Sequence, residues 1–255
     1  MKLKFSAADW AYYEKSGLSP EEYYNKLVEL GYTGVEMVPQ ERLKIAKSAG
    51  LEILNESIFA DCIPHGLNRK ENHPRLIKKI RDSLQIAGEE GIKALIIFSG
   101  NRMGQPDCEG MLNCRMAIEK VLPDAEKNKV ILLFEVFNIY NHEDYQADNS
   151  RYAFSLARSL SSPFFKVLYD IYHMEMMGES SENILPVNIA HVGHLHVADI
   201  PYRDIPKLSG GIDYSKIIKS TMKAGYKGFW GMEFHSNNPI KDLADAKKMF
   251  ESFLM

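Results

Sequence analysis

Four apolar runs in the second half of the chain close on an acid or an imidazole. VILLFE ends at Glu135, KVLYD at Asp170, HLHVAD at His196 and Asp199, and WGMEFH carries Glu233. A run built for burial has no apolar reason to deliver a carboxylate at its tip. One such acid is often a helix cap or a partner for loop backbone, but four successive runs ending this way ask for a shared explanation. Side chains alternate along a strand. Ile131, Leu133 and Glu135 therefore share one face, and Gly231 and Glu233 share another, opposite Trp230, Met232 and Phe234. If Glu135, Asp170, His196 and Glu233 converge, three carboxylates and an imidazole meet in a mostly dry pocket. Such charges stay ionised together only when something positive offsets them. A divalent cation does this. Oxygen-rich ligands with one imidazole suit Mn²⁺, Mg²⁺ or Co²⁺, and Zn²⁺ is compatible.

Other residues near these tips are open to two readings. His194 precedes His196 by two residues on the same face, about 6.6 Å deeper, and fits a hydrogen-bonded interior histidine better than a ligand. Asp199 has the opposite parity to His196 and suits contacts to backbone or a neighbouring loop. His173 lies past the end of its run, in a loop that either orients substrate or stays at the surface. Glu36, within GVEMV, lines the pocket or forms a buried ion pair. His65 and His235 carry no stronger signal either way.

The elements that must position these groups follow one rhythm: a short apolar run, a polar loop, an amphipathic helix. The strand candidates are LKFS (3–6), GVEMV (34–38), LEILN (51–55), ALIIFSG (94–100), VILLFEV (130–136), FKVLYD (165–170), HLHVAD (194–199) and FWGMEF (229–234). In SPEEYYNKLVELG, Ser19 is a candidate N-cap, Pro20 takes the first helical position, Glu22 completes a capping box and Gly31 ends the helix. DYSKIIKSTMKAG starts at Asp213 and stops at Gly225 in the same way. Both stops lead into a similar turn, GYTG (31–34) and GYKG (225–228). Runs such as VILLF are apolar at every position, as in parallel strands buried on both faces. Eight strands alternating with helices imply an α/β fold, a (β/α)8 TIM barrel forming one domain over residues 1–255. Its active site would lie at the C-terminal strand ends. A doubly wound open sheet is the rival, but it normally carries a glycine-rich phosphate loop, and neither GxGxxG nor GxxxxGK[ST] occurs.

Composition narrows the partners. The 255 residues are 45% hydrophobic and 25% charged, with a net charge of −3, so a nucleic-acid partner is not expected. The basic cluster RLIKKIRD (75–82) has helical spacing and reads as a solvated helix face. Three cysteines without a CxxC fit a reducing compartment. MKLKFSAADW has too short an apolar stretch for a secretory signal, and no window approaches a membrane span, so a cytoplasmic protein is expected. FWGMEF and the tyrosine-rich EEYYNKL offer apolar surface either to a second copy, giving a homo-oligomer, or to the protein's own core.

At these residues the sequence resembles the xylose-isomerase-like TIM-barrel superfamily of sugar isomerases and epimerases. Within it the chain is most similar to the hydroxypyruvate isomerase family. LLFEVFN, YQADN, KVLYDIYHMEMM, GHLHVAD, the segment around Arg203 and GYKGFWGMEF stand in that family's order and spacing; the N-terminal half matches only in its general pattern. The resemblance implies Glu135, Asp170, His196 and Glu233 as ligands to one metal ion, with Glu135 and Glu233 also acting as the acid/base pair on opposite faces of the substrate. It implies substrate contacts from His173 and Arg203, and from Tyr145 with His142 in a loop over the site. PYRDIP, SGGIDY and NHEDY depart from the family pattern, and these changes bear on the substrate more than on the chemistry.

Such a site would serve carbohydrate metabolism as a metal-dependent isomerase of a small hydroxy-carbonyl compound, hydroxypyruvate or a keto or aldo sugar, with manganese among the candidate metals. A metal acting as Lewis acid stabilises the enediolate left when a C–H proton is removed beside a carbonyl. One glutamate takes that proton and the same or the opposite one returns it. Return to the neighbouring carbon interconverts aldose and ketose, while return to the opposite face of the first carbon gives an epimer. Three alternatives compete: a ketose 3-epimerase, a keto-sugar or keto-inositol dehydratase, and a non-catalytic sugar-binding barrel. An apurinic endonuclease shares the fold but calls for more histidines and a basic surface.

Overall fold

Ser19 caps the helix Pro20–Glu29 as its spacing predicts. Its hydroxyl accepts the Glu22 N–H while the Glu22 carboxylate accepts the Ser19 N–H at 3.0 Å. The computed structural model describes residues 2–57 and 60–254. In chain order its strands are β1 (Lys4–Ala8), β2 (Gly34–Glu36), β3 (Glu52–Ile53), β4 (Asn55–Ser57), β5 (Ala94–Ile97), β6 (Ile131–Glu135), β7 (Phe165–Asp170), β8 (Val192–Val197) and β9 (Phe229–Met232). The described residues fall into two compact units. One takes in the chain up to Leu54, Ser180–Ile189 and the residues from His194 onward; the other takes in Asn55–Glu179 and Ala190–Gly193.

In the first unit the hydrogen-bonded order is β3-β2-β1-β9-β8, with every pairing parallel. The two similar turns are the same joint made twice. Gly31 and Gly225 stand at φ 83° and 99°, a left-handed conformation that glycine adopts without a Cβ penalty. The next residue then donates back into the helix, Tyr32 to the Leu27 carbonyl at 3.0 Å and Tyr226 to the Thr221 carbonyl at 3.2 Å. Each tyrosine hydroxyl is also used, Tyr32 on the Leu243 carbonyl and Tyr226 on the Phe229 carbonyl. Trp230 packs on Phe250 of the helix Pro239–Ser252 at 5.8 Å between ring centres, and Phe5 and Tyr214 meet the same ring. Trp230, Met232, Phe234, Tyr23 and Tyr24 are fully buried. The two segments weighed as a face for a second copy are thus spent in this unit's own core.

In the second unit the order is β7-β6-β5-β4, again parallel throughout. Leu95 and Leu132 on one face and Ile96 and Leu133 on the other are buried, as a sheet covered on both faces requires. RLIKKIRD lies in the helix His73–Glu90, where Lys78 pairs with Asp82 and Arg81 with Asp124. This is the solvated face its spacing predicts, and the structure adds the acidic partners. No helix among the described residues is long and apolar enough to cross a membrane.

The expected strand 51–55 is two short strands, so nine strands are described instead of eight. Glu52 and Leu54 donate to the Thr33 and Val35 carbonyls beside β2. From Asn55 on, the register is with Ala94 of β5. One apolar run thus serves two ladders in turn. β2 is shorter than GVEMV because Met37 turns to φ 51°. β8 starts two residues earlier than expected and ends before Asp199.

Trp230→Ala removes the largest side chain from the aromatic layer of the first unit. It should cost about 3–5 kcal/mol, read as a lower urea midpoint at unchanged slope. A loss below about 1 kcal/mol would place that ring outside the load of the fold.

Candidate active site

One face of the first unit gathers a cluster of buried polar groups. Ser6 is in register with Gly34 and with Gly231, and Gly231 with His196. Alternation then places Ser6, Glu36, His194, His196, Gly231 and Glu233 on that same face. The Ser6 hydroxyl donates to Glu36 Oε1 at 2.5 Å. Glu36 Oε2 lies 2.9 Å from both His194 Nε2 and His196 Nε2. Burial alone would raise the Glu36 carboxyl's pKa, but His194 and His196 outweigh it and hold it well below the usual range. With Nε2–H of His196 donating to Glu36, its Nδ1 carries the ring's lone pair in the neutral form. Nδ1 stands 3.0 Å from Glu233 Oε2. An imidazole nitrogen and a carboxylate oxygen at that distance share a cation, either a proton or a metal. A carboxylate holding the far nitrogen of a ligating histidine is the usual outer-sphere arrangement.

Gly231 makes this cradle. A Cβ there would lie 2.4 Å from Glu36 Oε1 and 2.7 Å from His194 Nε2. No side chain larger than hydrogen fits without displacing the carboxylate.

Glu233 has further partners. Arg203 Nη2 pairs with its Oε2, and Arg203 Nε donates to the Glu233 carbonyl at 3.1 Å. Trp10 Nε1 donates to Oε1 at 3.0 Å. Burial acts to raise this carboxyl's pKa, while His196 and Arg203 pull it well below the ordinary value. It is a carboxylate at neutral pH.

In the second unit Glu135 is in register with Leu168, so Glu135 and Asp170 share a face. Both are buried. Asp170 is also a helix cap: its Oδ1 accepts the His173 N–H at 3.2 Å and starts the helix Ile171–Met176. This corrects the expectation of a loop around His173, which is fully buried in that helix. The physical reason is the cap itself, since an acid at the end of β7 satisfies the first turn of a helix. His173 Nδ1 accepts the Asn138 N–H at 3.1 Å, and its Nε2 lies 3.6 Å from Asp170 Oδ2. His142 stacks on Phe137 with centroids 4.1 Å apart and meets His173 edge-on at 5.5 Å. Tyr145 is fully buried and its hydroxyl is engaged twice, accepting the Ser99 N–H at 2.9 Å and donating to the Glu135 carbonyl at 3.0 Å.

Asp199 serves backbone, as its parity predicts. Its Oδ1 accepts from Ile200 and Ile212 N–H groups at 2.9 and 3.0 Å. His65 and His235 are exposed. Sequence reading left Glu36 undecided and passed over Ser6 and Trp10. Strand parity from Glu36 could have flagged Ser6; Trp10 carried no signal in type or spacing.

Two consequences are measurable. Gly231→Ala should destabilise the protein by about 1–3 kcal/mol, against a near-neutral effect expected for alanine at an open strand position. Because the Glu36 carboxyl is depressed in the folded protein, its contribution to stability is complete above the unfolded value of about 4.3. That contribution is lost as pH falls below it. Urea unfolding between pH 6 and pH 3 should therefore show a steeper loss of stability for the wild type than for Glu36→Gln. Equal slopes would mean that Glu36 titrates alike in both states.

Comparison with known proteins follows the same lines. The hydroxypyruvate isomerase of Escherichia coli (strain K12) is 31% identical over 108 residues, 42% of this chain and 42% of that protein. A putative hydroxypyruvate isomerase of Streptomyces coelicolor is 26% identical over 230 residues, 80% of this chain and 81% of that protein. The chain spans 42 to 46% of the length of the first curated relatives it matches. Among solved structures, an AP endonuclease, family 2, from Brucella melitensis superposes with a TM-score of 0.83 at 18% identity, covering 98% of this chain and 99% of that one. The 3-keto-D-glucoside 4-epimerase YcjR of E. coli gives 0.80 at 18% identity, covering 98% and 100%. Likeness at that identity shows the fold, an α/β TIM-like barrel with helices around parallel strands, as the strand rhythm predicts. A family model described as "Xylose isomerase-like TIM barrel" matches residues 24–253, and the chain belongs to that family.

Proposed function

We propose that this chain is a metal-dependent isomerase of a small hydroxy-carbonyl compound, hydroxypyruvate or a keto or aldo sugar. The observation that carries the reading is His196, held between the buried carboxylates of Glu36 and Glu233 so that one ring nitrogen is fixed and the other faces an acceptor. The donor chemistry fits a divalent cation: Glu135, Asp170, His196 and Glu233 would hold it through carboxylate oxygens and one imidazole nitrogen. When bound, the cation would supply Lewis acidity beside the carbon that loses its proton.

The chain's own residues would do the rest. Glu233 is kept ionised by His196 and Arg203, ready to accept a proton from carbon. Glu233 would return that proton, or Glu135 would deliver one of its own from the opposite face, and the carbon that receives it decides between ketose, aldose and epimer. Arg203, already on the Glu233 carboxylate, offers a guanidinium to a substrate oxygen. His173, with Nδ1 accepting from backbone, turns Nε2–H toward a second oxygen. Phe137 and His142 form an aromatic wall. Tyr145 acts on the backbone of Glu135 instead of on substrate, since its hydroxyl is committed there.

Following deuterium uptake from solvent by NMR across C3 to C6 keto and aldo compounds should single out the substrate. Glu135→Gln and Glu233→Gln should each lower turnover by about 10²- to 10⁴-fold with the fold intact by circular dichroism. Near-wild-type turnover in both would remove them from the chemistry. Chelation should abolish activity and Mn²⁺, Mg²⁺ or Co²⁺ should restore it; full activity after exhaustive metal removal would refute the metal-dependent reading.

A further inference from the structure

We infer that Trp10 is a positioning residue for the Glu233 carboxylate and presents its ring to substrate as an aromatic wall, an inference that rests on the isomerase reading above. β1 ends at Ala8, and the helix Asp9–Ser16 begins at once. That helix is tied to the end of β9 twice. The Phe234 N–H donates to the Tyr12 hydroxyl at 2.9 Å, with the two rings 5.2 Å apart. Two residues earlier, Trp10 Nε1 donates to Glu233 Oε1. The Glu233 oxygens are thereby distinguished: Oε2 faces His196 and Arg203, and Oε1 faces the indole. A carboxylate held at both oxygens by fixed donors cannot rotate freely about its terminal bond, and proton transfer to and from carbon depends on that orientation.

The rest of the ring has no such duty. Trp10 is 48% exposed, the largest side chain of the first unit to be left so open. The Arg203 guanidinium lies 5.7 Å from its centroid. An aromatic face beside a guanidinium and a carboxylate recognises the C–H face of a carbon chain that carries oxygens on its other side. This favours a hydroxy-carbonyl with several C–H groups, a sugar, over a three-carbon acid.

The chain, labelled with ¹⁵N and free of added metal and substrate, tests the positioning. Its two tryptophans give two indole N–H cross-peaks, and Trp10→Phe identifies one by deleting it. Glu233→Gln should move the Trp10 peak and leave that of buried Trp230 in place; a Trp10 peak that stays put overturns the proposal. With hydroxypyruvate and D-fructose as probes, Trp10→Phe should lower kcat by about ten- to a hundredfold with KM within about twofold. Trp10→Ala should add a rise in KM that is larger for D-fructose. Wild-type kcat in Trp10→Phe, or an equal KM change for both probes in Trp10→Ala, overturns it. A wild-type chain that turns over neither probe counts against the isomerase reading, while the indole cross-peak still decides the role of Trp10.

Discussion

The shared oxygen of Glu36 is the constraint on which the first unit's polar face depends. One carboxylate accepts from a serine on β1 and stands within hydrogen-bond distance of two imidazoles on β8. A buried charge is costly unless it is paired and hydrogen-bonded. Here both oxygens of the acid are engaged, and the imidazoles gain a fixed orientation in return. His196 inherits its tautomer from this contact, and Glu233 inherits the nitrogen that it faces. Gly231 is required because the space above it belongs to Glu36. A backbone position without a side chain is thus part of the electrostatics of the site.

The same logic of double engagement recurs in the second unit. Asp170 ends a strand, caps a helix and sits near the histidine that the helix carries. The sequence posed cap and functional acid as rival explanations; the cap engages Oδ1, while Oδ2 lies 3.6 Å from His173 Nε2. Tyr145 spends its hydroxyl on two backbone groups and so fixes the strand end that bears Glu135. Rigidity of this kind would suit the proton exchange proposed for Glu135, because misplacement by about 1 Å is expensive in rate.

Much of this was legible in the sequence because the signals are periodic. Position at successive strand ends paired Glu135 with Asp170, and strand parity set Glu233 opposite Trp230 and Phe234. The capping box at Ser19 and the paired glycine turns follow from local rules. The rest was hidden for a physical reason: hydrogen bonds between residues far apart in sequence have no period. Ser6 meets Glu36, and Trp10 meets Glu233 across more than two hundred residues. Likewise, the division of 51–55 between two ladders depends on where neighbouring strands end, which the run itself does not encode.

The first unit is assembled from the beginning and the end of the described chain. Tyr32 is bonded to the carbonyl of Leu243, and Phe5 meets Phe250. Asn55–Glu179, by contrast, is continuous and makes up nearly all of the second unit. On a ribosome, where chain emerges in order, the middle of this protein can gather its contacts while the opening strand still waits for its neighbour. β1 must stay unpaired on one side until β9 is made. The exposed interval is long, and its length is set by topology alone.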